Sequence, residues 1–186
     1  MPDLKGIRIA ILATDGVEQA ELAEPRKFLD QNGAKTTLIS PKSGQIQAMK
    51  HDEKVEMFKV DMPIGQADPE QFDAVLLPGG ALNADFLRMD DDARSFVQEM
   101  DEDEKAFGVI CHAPWLLISA DLVEGRHMTS YYTIQDDLRN AGAEWEDQET
   151  VRDGNWVSSR QPADIPAFNE AFGEVLYEAN RRRKAA

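Results

Sequence analysis

The amino-acid sequence predicts an α/β protein: an open, mostly parallel β-sheet with helices on both faces and a small surface hairpin. Two observations predict it. Short apolar runs rich in β-branched residues ("GIRIAILAT", "AKTTLIS", "FDAVLLPGG", "AFGVIC") alternate with segments of helical spacing. The first run also reads as a buried strand, and strand–helix–strand in that order makes a parallel βαβ unit. A length of 186 residues with 42% hydrophobic content suits a single domain over residues 1–186, with an ordinary core.

In chain order, "GIRIAILAT" is a buried strand ended by the turn pair "DG". Val17 to Gln31 has helical spacing and is stopped by "NG", after which "AKTTLIS" returns as a strand. "QIQAMKHDEKVEMFKV" alternates around a polar turn and reads as the surface hairpin. "FDAVLLPGG" is a buried strand ending in a Gly-Gly loop, and a helix is expected from about Asp85 to Met100. "AFGVIC" and "APWLLISADL" form the next strand and helix. The helix "IQDDLRNAG", short strands within "AEWEDQETVRDGNWVSSR" and a final helix over about Asp164 to Asn180 complete the chain.

The charge balance narrows the partners. With 20 Lys+Arg against 35 Asp+Glu, the net charge is −15, a field that disfavours phosphate backbones and anionic membranes. Neither nucleic acid nor a membrane is therefore expected as a partner. The basic cluster Arg181 to Lys184 reads as the cationic end of a last helix. No apolar run approaches the roughly 20 residues that cross a bilayer. The start, "MPDLKGIRIAILATDG", lacks a basic leader and a cleavage site, so the expected location is the cytoplasm. One cysteine excludes an intrachain disulfide.

That cysteine carries the chemistry. Cys111 closes a strand and precedes a helix, the kind of sharp turn that holds a nucleophile at the rim of an α/β sheet. Free helix N–H groups and the dipole there favour the thiolate, and Pro114 fits the first helical turn. His112 is an adjacent proton carrier. The bland reading of Cys111 is a small buried hydrophobe at a strand end. Two other strand-exit loops, "TDGVEQAE" and "PGGALNAD", belong at the same rim. Glu18 opens the first helix, with Glu21 one turn further on, and a carboxyl there can reach the sulfur or simply suit a helix N-terminus. Gly79 and Gly80 can turn backbone N–H groups towards a substrate oxygen or merely form a tight turn. Trp115 is a core aromatic or a pocket wall beside the elbow. His51 and His127 lack metal-ligand spacing and read as surface or packing residues, so no metal is expected. "PGGALNAD" is not G-x-G-x-x-G and there is no P-loop, so no nucleotide cofactor is expected either.

Together the three loops resemble the ThiJ/PfpI superfamily, in particular its PfpI-type intracellular protease and general stress protein branch. The resemblance runs through "TDGVEQAEL", "FDAVLLPGG", "VICHAPWLLISADLVEGR", "IQDDLRNAGAEWEDQE" and "DGNWVSSRQPADIPAF". It implies a flavodoxin-like three-layer sandwich with Cys111 as the reactive cysteine and Glu18 hydrogen-bonded to its sulfur. It further implies an oxyanion site from the Gly79–Gly80 loop and the His112 N–H, and assembly as a homodimer or higher homo-oligomer. In some relatives an acid after "PGG" reaches the neighbouring subunit's histidine. Here the matching residue is Asp85, preceded by Ala84 rather than the proline of many relatives, in a loop one residue longer than the shortest family versions.

Three functions fit these residues. The leading one is cofactor-free, cysteine-dependent glyoxalase or deglycase chemistry on small reactive carbonyls or glycation adducts. The second is a PfpI-type cysteine peptidase acting on peptide substrates. The third is a non-enzymatic redox sensor or chaperone-like stress protein oxidised at Cys111.

Overall fold

The computed structural model describes residues 2–185. In chain order the elements are β1 (Arg8–Leu12), β2 (Val17–Glu18), α1 (Gln19–Gln31), β3 (Lys35–Ser40), β4 (Gln45–Lys50), β5 (Glu53–Lys59), β6 (Met62–Pro63) and β7 (Ala74–Leu77). There follow α2 (Ala81–Met89), α3 (Asp91–Glu102), β8 (Ala106–Ile110), α4 (Pro114–Ser119), β9 (His127–Met128), α5 (Gln135–Asn140), β10 (Glu144–Trp145), β11 (Thr150–Asp153), β12 (Trp156–Ser159) and α6 (Ile165–Ala185).

Seven strands make the main sheet in the order β11-β12-β8-β7-β1-β3-β6. Every neighbouring pair is parallel except β11 with β12. Alternation along β1 explains the layering, because successive side chains leave opposite faces of a strand. Ile9 and Ile11 pack with Leu22 and Leu29 of α1 and Phe168 and Phe172 of α6. Ala10 and Leu12 pack on the other face with Leu87 of α2, Phe96 and Val97 of α3 and Leu117 of α4. The result is a flavodoxin-like three-layer sandwich. Each fully buried Leu or Phe in these layers contributes about 1.5–3 kcal/mol relative to exposure. Packing within the sheet is close at Gly108 in β8, where an added Cβ would lie 2.9 Å from both Phe168 and Phe172.

The polar hairpin is β4–β5, antiparallel with a bulge at Gln47/Met49. It joins the rest of the chain through β2, which pairs in parallel with β4. That pairing corrects the helix expected from Val17: the first two residues are strand, and α1 starts at Gln19. The helix expected over Asp85 to Met100 is two helices. Asp90 is extended, and its side chain accepts from the Ala93 N–H (2.8 Å), ending α2 and capping α3. Asp91 and Asp92 then complement the α3 dipole, so this acidic run lies at a helix start. The final helix continues past Asn180 to Ala185 and includes the basic cluster, in which the Arg183 and Lys184 side chains lie outside the described residues. Among the described residues, no helix is long and apolar enough to cross a membrane.

Candidate active site

β1, β7 and β8 are neighbours in the sheet, so the segments leaving their carboxyl ends share one rim. Two of these segments interlock. The Glu18 N–H donates to the Gly79 carbonyl (3.2 Å), and Gly80, at φ 92°, lies so near Gly16 that any Cβ would overlap its carbonyl. Asn83, fully buried, ties the segments together. Its Oδ1 accepts from the Thr14 N–H (2.7 Å), while its Nδ2 donates to the carbonyls of Pro78 and Gly79 (both 3.0 Å). Sequence reasoning missed Asn83, which reads as part of the "PGGALNAD" loop but lies in the first turn of α2, because a lone asparagine gives no sign of a tertiary clamp.

Cys111 follows β8 with φ 62°, a left-handed conformation that costs a non-glycine residue about 1–2 kcal/mol. The surroundings enforce it: the Cys111 N–H donates to the Ser159 carbonyl, and its own carbonyl accepts from the Tyr131 N–H, both at 3.0 Å. The following helix, α4, has only six residues, so its dipole is small. The donors that favour negative charge on the sulfur are instead the backbone N–H groups of Gly80 and His112. Gly79 cannot join them, because its N–H donates to Glu21 Oε2 (2.7 Å). The expected oxyanion pair from the glycine loop thus reduces to Gly80 with His112.

The carboxyl that lies beside Cys111, both packed against Gly79, is Glu21 rather than Glu18. The reason is the early strand. With Val17–Glu18 paired to β4, the Glu18 carboxylate turns to the hairpin and accepts from the His51 N–H (3.0 Å). Glu21, in the first turn of α1, points inward beneath Gly79 and is 0% exposed. Burial pushes its pKa up to about 8 and the nearby Glu18 charge adds to this, against the lowering effects of the Gly79 N–H and the sulfur. Glu21 therefore holds its proton at neutral pH. Oε2 is taken by the Gly79 N–H, and Oε1 is sealed from solvent without an ordinary hydrogen-bond partner. Burial also raises the Cys111 thiol, with the Glu21 charge as a second cause when that carboxyl is ionised. The resting sulfur is a thiol beside a carboxylic acid, and it needs a base to become a nucleophile.

A candidate base is adjacent. His112 Nδ1 lies 3.1 Å from Cys111 Sγ, and burial lowers the imidazole pKa, leaving the ring neutral and able to accept a proton. Tyr131 lies against the ring at 4.9 Å and Trp115 meets it edge-on at 5.3 Å. Trp115 braces His112 rather than walling the pocket: its Nε1 donates to Asp137 (2.8 Å), and Arg88 stacks over it. The cavity above the sulfur, about 260 Å³, is lined by Glu18, Met49, His51, Leu82, Tyr131 and Gln161 together with the elbow. His51 is exposed, as a surface residue should be, yet it is also part of this wall, brought there by the hairpin turn. Asp85 lies on the exposed face of α2.

A parallel sheet with a clamped, left-handed cysteine between a buried acid and a neutral imidazole defines an α/β protein of the cysteine-elbow class. The chain belongs to the DJ-1/PfpI family, whose model matches residues 7–174. It is 41% identical to the deglycase TK1284 of Thermococcus kodakarensis, over 91% of this chain and 99% of that one. It is also 41% identical to YraA of Bacillus subtilis, provisionally named a cysteine protease, over 91% and 98% of the two chains. Protein/nucleic acid deglycase 2 of Escherichia coli is 39% identical over 91% and 97%. Among solved structures, Drosophila melanogaster DJ-1beta shares the fold with a TM-score of 0.82 at 21% identity, covering 97% of this chain and 98% of that one.

Proposed function

We propose that the protein is a cofactor-independent cysteine enzyme of the deglycase and glyoxalase type, acting on small reactive carbonyls or the adducts they form on amines. The observation that carries this reading is the Cys111 sulfur, 3.1 Å from a neutral imidazole nitrogen and beside the buried Glu21 carboxyl, beneath a cavity of about 260 Å³. His112 takes the thiol proton as sulfur attacks the aldehyde carbon of methylglyoxal, giving a hemithioacetal. The N–H groups of Gly80 and His112, which favour charge on the sulfur in the resting site, are the nearby donors for the oxyanion. Loss of the C1 proton to a base and its return at C2 oxidises C1 to a thioester and reduces C2 to an alcohol. Water then releases lactate and the thiol. On an amine adduct, the amine leaves before or during sulfur attack.

Peptidase activity is the second reading, supported by the likeness to YraA. The cavity opposes it, because an extended peptide needs a longer groove than this volume supplies. A redox-sensing or chaperone-like role is weaker still: a cysteine residue 7% exposed with a raised pKa is the opposite of an accessible, low-pKa sensor thiol.

We assign the protein to the cytoplasm, where thiols stay reduced, and to a homo-oligomer. Leu82, Phe86 and Met89 are 54%, 56% and 75% exposed along one face of α2, and a second copy seated there would shield them. Asp85 lies on the same helix and would travel with that interface. Lactate formed from methylglyoxal, counted per site in wild type and Cys111→Ser, tests the activity. Many turnovers lost in the serine variant are expected; less than one lactate per site from folded, reduced wild type would end the carbonyl reading.

A further inference from the structure

The proposed reaction asks more of the site than a nucleophile and one oxyanion site. Methylglyoxal carries two adjacent oxygens: O1 on the aldehyde carbon that sulfur attacks, and O2 on the neighbouring ketone. When the C1 proton leaves to a base, its electron pair forms a C1–C2 double bond and the C2=O pair moves onto O2. Charge therefore develops on both oxygens in turn, and a donor at O2 gains strength as the proton is transferred. The N–H groups of Gly80 and His112 are assigned to O1, which leaves O2 to be met by another group.

The strand-exit segment on the other side of the elbow supplies one. β12 flanks β8 on the side away from β7, and the Cys111 N–H donates to the carbonyl of Ser159 at the end of β12 (3.0 Å). Just beyond, Gln161 lines the cavity, with the elbow lying between it and the Gly80 segment in strand order. Gln161 is half-buried, and its carboxamide has no hydrogen-bond partner among the described residues. The backbone beneath it is fixed. Arg160 binds both carboxylate oxygens of the buried Asp164 (2.8 and 3.1 Å) and also Asp147 (2.8 Å), while the Gln161 carbonyl accepts from the Asp164 N–H (3.0 Å). A neutral donor suits a ketone oxygen, and no lysine or arginine lines the cavity to bind a carboxylate there.

We propose that Gln161 is a specificity-determining residue whose Nε2–H group binds the second oxygen of the substrate, so that the site selects vicinal dicarbonyls over simple aldehydes. The inference rests on the carbonyl chemistry proposed for Cys111 and adds the group that reads the carbon next to the one attacked. An amine adduct formed at the aldehyde of methylglyoxal keeps the ketone, so the same contact serves both substrate forms.

The test compares methylglyoxal with propanal, which has the same chain length and the same aldehyde but a CH2 group in place of the ketone. Cys111 is the sole cysteine, so its alkylation by iodoacetamide reports one site, and a carbonyl that adds to the sulfur slows it. Half-protecting concentrations are read from initial rates. Gln161→Leu should raise the value for methylglyoxal about 10-fold, the loss of one hydrogen bond, and leave that for propanal unchanged. Gln161→Glu, of nearly the same size but without the amide donor, should do the same. An equal change for both carbonyls, or no change for either, would overturn the proposal. So would a methylglyoxal preference kept in Gln161→Leu and lost in His51→Ala or Tyr131→Phe, which would give O2 to another part of the wall. Protection is read without turnover, so a preference lost in both Gln161 variants upholds the proposal even where no lactate forms. Lactate formed by Gln161→Leu at the wild-type rate would overturn it and leave the carbonyl reading intact.

Discussion

Where β8 and β12 begin, a cavity of about 610 Å³ is lined by Arg126, Arg152 and Arg182 among several acids. Where β1, β7 and β8 end, the cavity is about 260 Å³ and holds Cys111. In the larger cavity the arginines are paired: Arg126 with Asp101 at 2.7 Å and Arg152 with Glu178 at 2.6 Å, while Arg182 approaches the same glutamate at 3.8 Å. The smaller one holds a buried carboxyl that no cation neutralises and a cysteine in a left-handed conformation. Volume alone would point to the other end. Unrelieved electrostatic and backbone cost, kept in place by surrounding hydrogen bonds, is the better sign of a reactive site.

If the two ends differ in this way, perturbing them should give effects of different size and kind. The largest belongs to Glu21. Its folded-state pKa of about 8 stands above the ordinary 4.5, so the folded protein binds the extra proton between those values. The stability it contributes is present below pH 4.5 and is lost as pH rises through 8, on the order of several kcal/mol. Urea unfolding at pH 5 and pH 8 should show that fall in wild type, and Glu21→Gln should flatten it. An equal slope in the variant would mean that Glu21 is ionised throughout.

Gly108→Ala comes next. It inserts a methyl against the Phe168 and Phe172 rings, away from the rim, and should cost about 1–3 kcal/mol in urea unfolding. Lactate formation per folded molecule should be unchanged. A proportionate loss of activity would mean that the site depends on that packing.

The smallest effect is expected from Arg152→Ala at the larger cavity. Its pair with Glu178 is solvent-exposed, so the loss of stability in urea unfolding should be the smallest of the three, with no change in turnover. A tenfold fall in kcat would give that end a functional role and remove the contrast.

The sheet was legible because buried strands announce themselves by composition. "FDAVLLPGG" and "AFGVIC" could hardly be anything but interior strands, and their neighbouring positions brought Gly80 and Cys111 together. The identity of the acid was not legible. Glu18 and Glu21 are both helix-start carboxylates on a linear reading, and only the pairing of Val17–Glu18 with a hairpin about 30 residues away decides which turns inward. The same holds for Asn83 and His51, polar residues whose partners are distant in sequence. The break at Asp90 was readable in principle, since an aspartate followed by two more is a helix-start signal, but the charge run masked it.

The central claim is that a protonated Glu21 sits beside the Cys111 sulfur at neutral pH. Infrared spectra of wild type and Glu21→Gln, recorded across pH 5 to 10, test it most directly. The account predicts a carboxylic-acid C=O band at pH 7 that is missing from the variant and disappears as pH rises through about 8. A Glu21 carboxylate band already complete at pH 6 would contradict it.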